Sequence, residues 1–385
     1  MPEIYLDHAA TTPVRDEVRI AMASAFGESF GNPSSNHKWG RQAAAELDKS
    51  RERVATAIGA EADEIYFVRG GTESDNLAIL GRAEISKSQA EEPFVIVSAL
   101  EHKAVLESSA RVEERGGRRL VLPVEEDGTP DLDMLENGLS DGPIIVSVMT
   151  VNNEVGIRLP LKQVAERTRF HGAVLHSDAV QALGKTPVLV DTPHVDLLTL
   201  SGHKIGGPRG TGVLYVRRGV EIAPIMYGGG QENALRPGTE DVAGAIGMSI
   251  AVDLAVREQE SEAQRMDGLR KTLESLLSDG IPDLRVHGEQ AHRAPHILNV
   301  GIPDIDPETL LAALDLEGIA VSSGSACESG AHAQSHVLKA LYGKLDHVTA
   351  LRFSLGRTSN RHDVDEAATT TIETVIRIQN RAADK

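Results

Sequence analysis

Three observations on this 385-residue chain predict an α/β fold with a second, smaller domain. Short apolar runs alternate with amphipathic stretches of helical period, the pattern changes after Val216, and the length exceeds that of one ordinary domain. Taken in order, residues 65–68, 94–97, 144–148, 173–176, 195–200 and 212–216 read as strands. Residues 41–58, 103–115 and 161–170 read as helices between several of them. Strand, helix, strand repeated in this way predicts a mostly parallel sheet covered by helices. Beyond it, residues 241–277 read as a long helix with a break near Glu260. Sparser strands follow near 296–300, 319–322 and 351–355, and the stretch 363–377 is again helical. The expected division is a large domain over 16–260 and a small α+β domain from 261–385, onto which residues 1–15 fold back.

Composition limits the function classes. Asp and Glu number 57 against 39 Lys and Arg, giving a formal charge of −18, which argues against a direct nucleic-acid groove. With one cysteine no intrachain disulfide can form, and a reducing cytoplasm is the expected home. The first residues lack a basic stretch followed by an apolar core, and no run approaches the ~20 apolar residues of a membrane helix. No membrane partner is expected.

Seven segments carry candidate chemistry. Lys204 follows the apolar run 195–200 and is surrounded by Gly202, Gly206, Gly207 and Gly210. An amine at the carboxyl end of a buried strand suits Schiff-base formation, since burial favours the neutral nucleophile; the alternative is a surface lysine in a glycine-rich turn. Gly71 and Thr72 stand where the strand 65–68 turns into a helix, so backbone N–H groups there can cradle a phosphate, or Thr72 simply caps the helix. Asp178 ends the strand 173–176 and can hold a proton on a heterocyclic nitrogen, or cap a helix. Because Asp178 and Lys204 lie at the ends of successive strands, they can face one crevice. An amine for an aldehyde, an acid for a ring nitrogen and donors for a phosphate together favour pyridoxal 5′-phosphate.

His102, just past the strand 94–97, can stack on a ring or move a proton, or cap the helix that follows. Asn152 and Asn153 after the strand 144–148 are turn formers or ligand donors. Cys327 lies among small and polar residues in Ser322-Ser323-Gly324-Ser325-Ala326-Cys327, which suits an exposed loop and a nucleophile or sulfur carrier better than a core thiol. Arg352 shares a strand face with Ser354, and its guanidinium suits a substrate carboxylate or a surface ion pair.

Together these segments resemble the NifS-like cysteine desulfurases of the class V aminotransferase family, fold type I pyridoxal-phosphate enzymes. The likeness runs from Tyr5-Leu6-Asp7-His8-Ala9-Ala10-Thr11-Thr12 to Arg352-Phe353-Ser354-Leu355-Gly356-Arg357. It implies a seven-stranded, mostly parallel sheet and a homodimer with the cofactor near the subunit boundary. By position, Lys204 would hold pyridoxal 5′-phosphate, Asp178 would pair with its ring nitrogen, Gln181 would bond its phenolic oxygen and His102 would stack on the ring. The phosphate would meet Gly71, Thr72, Ser201 and His203, with Thr239 reaching across from the other subunit. Asn153 and Arg352 would take the carboxylate of L-cysteine.

The resemblance further implies that Lys204 moves the Cα proton and that the Cys327 thiolate attacks the substrate sulfur. Alanine then leaves, and the persulfide on Cys327 passes to an acceptor protein. No metal is implied. Where family members serving iron–sulfur assembly often read Ser-Leu-Glu-Pro after the cysteine, this chain has Ala331-His332-Ala333-Gln334. The loop resembles that of the desulfurases of DNA phosphorothioation, so the implied acceptor belongs to iron–sulfur assembly, tRNA thiolation or DNA phosphorothioation. Competing readings are a selenocysteine lyase or small-amino-acid aminotransferase of the same fold, a cysteine–histidine hydrolase, and a non-catalytic scaffold.

Overall fold

A computed structural model describes residues 3–89, 92–323, 334–345 and 347–383. Its strands are β1 (Ile4–Tyr5), β2 (Ile65–Val68), β3 (Phe94–Ser98), β4 (Arg118–Leu122), β5 (Ile145–Ser147), β6 (Val174–Asp178), β7 (Leu197–Ser201), β8 (Gly212–Val216), β9 (Arg285–Val286), β10 (Ile297–Pro303), β11 (Ile319–Ala320) and β12 (Val348–Ser354). Seven of them form one sheet in the order β2-β8-β7-β6-β5-β3-β4, in which β8 alone runs against its neighbours. Every residue of β3, β7 and β8 is buried, as expected of strands covered on both faces.

The strand β4 is absent from the expected set. It begins with Arg118-Arg119 and lies at the sheet edge, so its apolar signal is short and half-exposed. Charge on an edge strand discourages pairing with other chains, and the Arg118 guanidinium sits 4.3 Å over the Phe94 ring of β3. The break expected near Glu260 falls at Glu258, between the helices Val242–Arg257 and Gln259–Gly280. Small and apolar residues bury most of the first helix against the helix Lys38–Ile58, whereas the second buries only Met266, Arg270, Leu273 and Leu277. The change of exposure at Glu258 marks where the chain leaves the large sheet.

A separate hydrophobic cluster joins Leu273 and Leu277 to Leu298 and Val300 of β10, Leu351 and Phe353 of β12, Leu310, Val364, and also Ile4 and Leu6. Its frame is an antiparallel sheet β12-β10-β9 with β1 paired in parallel to β11. The amino-terminal segment is thus bonded to the later part of the chain, and Asp7 bridges to Ser354. From there residues 8–12 run to the end of β7, where Thr12 N–H donates to the His203 carbonyl at 2.9 Å. Among the described residues no helix is long and apolar enough to cross a membrane.

Candidate active site

In an open α/β sheet, the crevice beyond the carboxyl ends of parallel strands is where ligands bind. Here β3, β6 and β7 end in Glu101-His102, Asp178 and Ser201–Lys204. A cavity of about 370 Å³ opens at this point. Its walls bring together Gly71, Thr72, His102, Asn153, Asp178, Gln181, Ser201, His203, Lys204 and Arg352, which the sequence named as separate candidates.

Lys204 ends a single helical turn after β7, and its Nζ donates to the carbonyls of Ala9 and Ala10 at 2.5 and 2.8 Å. The amino-terminal segment therefore aims this amine. Asp178 is buried, with Oδ1 accepting from Val180 N–H at 2.8 Å. Burial raises its pKa from the ordinary carboxylate value, while His102, the Val180 N–H and Lys204 pull it back. The capping role and the ligand role coexist at His102. Its Nδ1 accepts from Ala104 N–H at 3.1 Å at the start of the helix Lys103–Glu114, so the neutral ring carries its proton on Nε2. Burial lowers the His102 pKa, with the Asp178 carboxylate opposing.

At the other end of the cavity the helix Gly71–Ser88 begins. Gly70, not Thr72, is its N-cap, which corrects the capping alternative and leaves Thr72 inside the first turn. A Cβ on Gly71 would stand 3.1 Å from Val180 Cγ2, so glycine keeps this corner open. Ser201 and His203 face the same end; burial takes the His203 pKa down to about 4, and Lys204 adds to the shift. Gln181 donates to the Ala9 carbonyl at 2.8 Å and accepts from His296 Nε2 at 3.2 Å.

Arg352, on β12, is 2% exposed. Its Nη atoms donate to the Asn153 carbonyl at 2.9 Å and to Asp7 at 2.7 Å, so the surface-pair alternative is replaced by a buried one. The Nε atom is buried and has no acceptor. Thr239 is exposed and lines no part of its own chain's cavity, and Cys327 lies outside the described residues.

A family model for class-V aminotransferases matches residues 4–367. The chain belongs to this family. A class-V aminotransferase from Dictyoglomus turgidum named cysteine desulfurase IscS is 42% identical over 94% of this chain and 92% of its own length. The cysteine desulfurase IscS of Methanosarcina thermophila is 40% identical over 98% of this chain and 93% of its own. A solved NifS-like protein superposes with a TM-score of 0.90 at 33% identity, covering 97% of this chain and all of the other.

This class-V site contains groups the sequence reading passed over. Behind Asp178 lie Asp75 and Glu101, both buried, whose pKa values burial raises well above the carboxylate range; nearby Asp178 adds to both shifts. Glu101 accepts from Met149 N–H at 2.6 Å. His176 is held between Ser147 and Thr199 at 2.8 and 3.0 Å, and burial takes its pKa down to about 3. His336 lines the cavity and bonds the Glu101 carbonyl at 3.0 Å, while Glu154 accepts from Ser335 at 2.5 Å. Asp75 and Glu101 stand inside the motifs that were read, but nothing in their spacing separates a buried neutral acid from an exposed one.

Proposed function

We infer that this protein is a pyridoxal-phosphate-dependent cysteine desulfurase that converts L-cysteine to L-alanine and passes the sulfur on. The carrying observation is the meeting of Lys204 Nζ, the Asp178 carboxylate, the His102 ring and the start of the helix Gly71–Ser88 around one cavity. The donor set fits the cofactor. A buried acid suits a ring nitrogen, a flat imidazole suits a ring face, and an open helix start suits a phosphate. When bound, pyridoxal 5′-phosphate supplies an aldehyde for an amine and a ring that draws electrons from the substrate Cα.

The chain's own residues do the rest. Lys204 would hold the cofactor and carry the proton taken from the substrate Cα. Asp178 would keep the ring nitrogen protonated. Thr72, Ser201 and His203 would hold the phosphate with the backbone of Gly71, and Thr239 of a second copy would complete that end. Gln181 would bond the phenolic oxygen. Arg352 would offer Nε, which has no hydrogen-bond partner among the described residues, to the substrate carboxylate, with Asn153 beside it. The Cys327 thiolate would attack the substrate sulfur: the S–S bond forms as the Cβ–S bond breaks, the electron pair stays on Cβ, which takes up a proton, and the persulfide remains on Cys327 while alanine leaves.

A homodimer is supported by an apolar face on which Phe26, Phe30 and Trp39 are 68%, 66% and 52% exposed. The large unit then spans 16–260, with 1–15 and 261–385 forming the small one. A single cysteine that must stay reduced for the reaction supports a cytoplasmic setting, where an acceptor protein would collect the sulfur. The test is the Cys327→Ala variant incubated with L-cysteine. It should keep the cofactor's visible absorbance and release no alanine, and normal alanine release would remove the persulfide step. Keto-acid production in place of alanine would favour an aminotransferase.

A further inference from the structure

A second cavity, of about 60 Å³, shares Lys204 as a wall with the first. We propose that it binds one small monovalent anion of the size of chloride, between Lys185 and His8, and that the charge of this ion acts on Lys204. The lining supplies four cations, Arg15, Lys185, Lys204 and Arg357, against the carboxylates Glu258 and Glu262. Both carboxylates are already taken, Glu258 by Arg15 at 2.7 Å and Glu262 by Arg265 at 2.7 Å.

Lys185 donates to the Lys204 carbonyl at 2.6 Å and has no carboxylate partner among the described residues. A buried cation without a counter-charge is costly. Burial, with Lys204 and Arg15 adding repulsion, holds the Lys185 pKa down to about 7, so a bound anion shifts it toward the charged form at neutral pH. His8 and His296 are buried. His296 Nε2 donates to Gln181, so its bare Nδ1 can only accept, whereas neither ring nitrogen of His8 has a hydrogen-bond partner among the described residues, and its neutral ring can donate one N–H to an anion without adding charge.

The volume limits the ligand. At roughly 10–15 Å³ of such space per water, the cavity has room for about four to six waters, enough for one halide with a few waters around it. Exposed Pro13, Arg357 and Thr358 form its rim, which gives an ion a way in from solvent. The assignment of Lys204 as the cofactor-bearing amine rests on the proposed function; the binding of the anion does not.

The experiment replaces gluconate by chloride, then by bromide, at constant ionic strength and neutral pH. Chloride should raise the holoenzyme's melting temperature saturably, by about 2 °C at tenfold excess over its dissociation constant. It should also raise the pH midpoint of the cofactor's visible absorbance by roughly half a unit or more, because an anion beside Lys204 favours the protonated state. Lys185→Met should abolish both responses. Arg357→Gln, a change at the exposed rim, should weaken chloride binding several-fold without affecting folding. A melting temperature indifferent to chloride, or an equal response in Lys185→Met and Arg357→Gln, would overturn the proposal. A melting response without any cofactor absorbance would leave the anion site standing and count against the proposed function.

Discussion

At the ends of β3, β6 and β7 the cavity wall is a buried cluster of titratable groups, whereas β12 offers a single arginine with one donor still open among the described residues. On the first side, Asp75, Glu101, Asp178, His102 and His176 are packed so that burial moves each pKa away from its ordinary value. On the second side, Arg352 is held by Asp7 and the Asn153 carbonyl, and its Nε has no partner among the described residues. Under the proposed function the difference separates two tasks: proton management on the parallel sheet, and carboxylate capture on the sheet that carries the amino-terminal segment. Between the two stand the Ala9 and Ala10 carbonyls, which hold the amine of Lys204.

The strongest way to break this contrast is on the sheet side. Lys204→Ala should lower the rate of alanine formation by about 10⁴-fold or more, since one substitution removes both the covalent anchor and the proton carrier. Asp178→Asn should lower kcat by roughly 10²–10⁴-fold with KM for cysteine little changed, as steady-state assays on the cofactor-loaded variant would report. An effect on KM alone would move Asp178 out of the proton network.

On the β12 side the split should invert. Arg352→Gln should raise KM for L-cysteine about 10- to 100-fold, the loss of one charged hydrogen bond worth roughly 1.5–3 kcal/mol. It also leaves Asp7, a half-buried carboxylate, without its guanidinium, which should lower the melting temperature. Pairing it with Asp7→Asn should recover much of the stability and none of the KM.

The pH dependence of stability sharpens the first side. Folded-state pKa values near 4 for His8 and His203, and near 3 for His176, lie below the unfolded value of 6.5. At these three histidines the unfolded chain binds more protons, so their contribution to stability rises as pH climbs from about 3 to 6.5 and is lost on acidification, while the raised pKa values of Asp75, Glu101 and Asp178 contribute the opposite slope above about pH 4. Melting temperature against pH, compared between the protein and His176→Asn, would isolate the histidine part, which the substitution should reduce at the acid end. The smallest effect belongs to Glu101. Burial raises its pKa well above the usual carboxylate range and so favours the neutral acid; Glu101→Gln should therefore leave kcat within about threefold, while a large loss would mean that its charge is used.

Much of this architecture was legible from apolar runs. Strand β8 has the expected bounds because continuous burial writes an unbroken apolar signal, and the helix Leu161–Phe170 has them because its buried Leu161, Val164, Ala165 and Thr168 recur at helical spacing. Strand β4 was not legible, since two arginines at an edge dilute that signal. At the site, Lys204, Asp178 and His102 were readable because each ends an apolar strand. The roles of Ala9 and Ala10 were not, because a backbone carbonyl leaves no mark on residue identity. Asp75 and Glu101 were also hidden: a protonated buried acid and a solvated one are the same letter. Thr72 illustrates the reverse case, a residue whose capping alternative failed because glycine took the cap.

The central claim is that Lys204, and not its buried neighbour Lys185, carries the cofactor. Borohydride reduction of the holoenzyme followed by peptide mass analysis tests it directly, since the trapped adduct stays on the lysine that held it. The account predicts one pyridoxyl adduct per chain, on Lys204; an adduct on Lys185, or none on either, would contradict it.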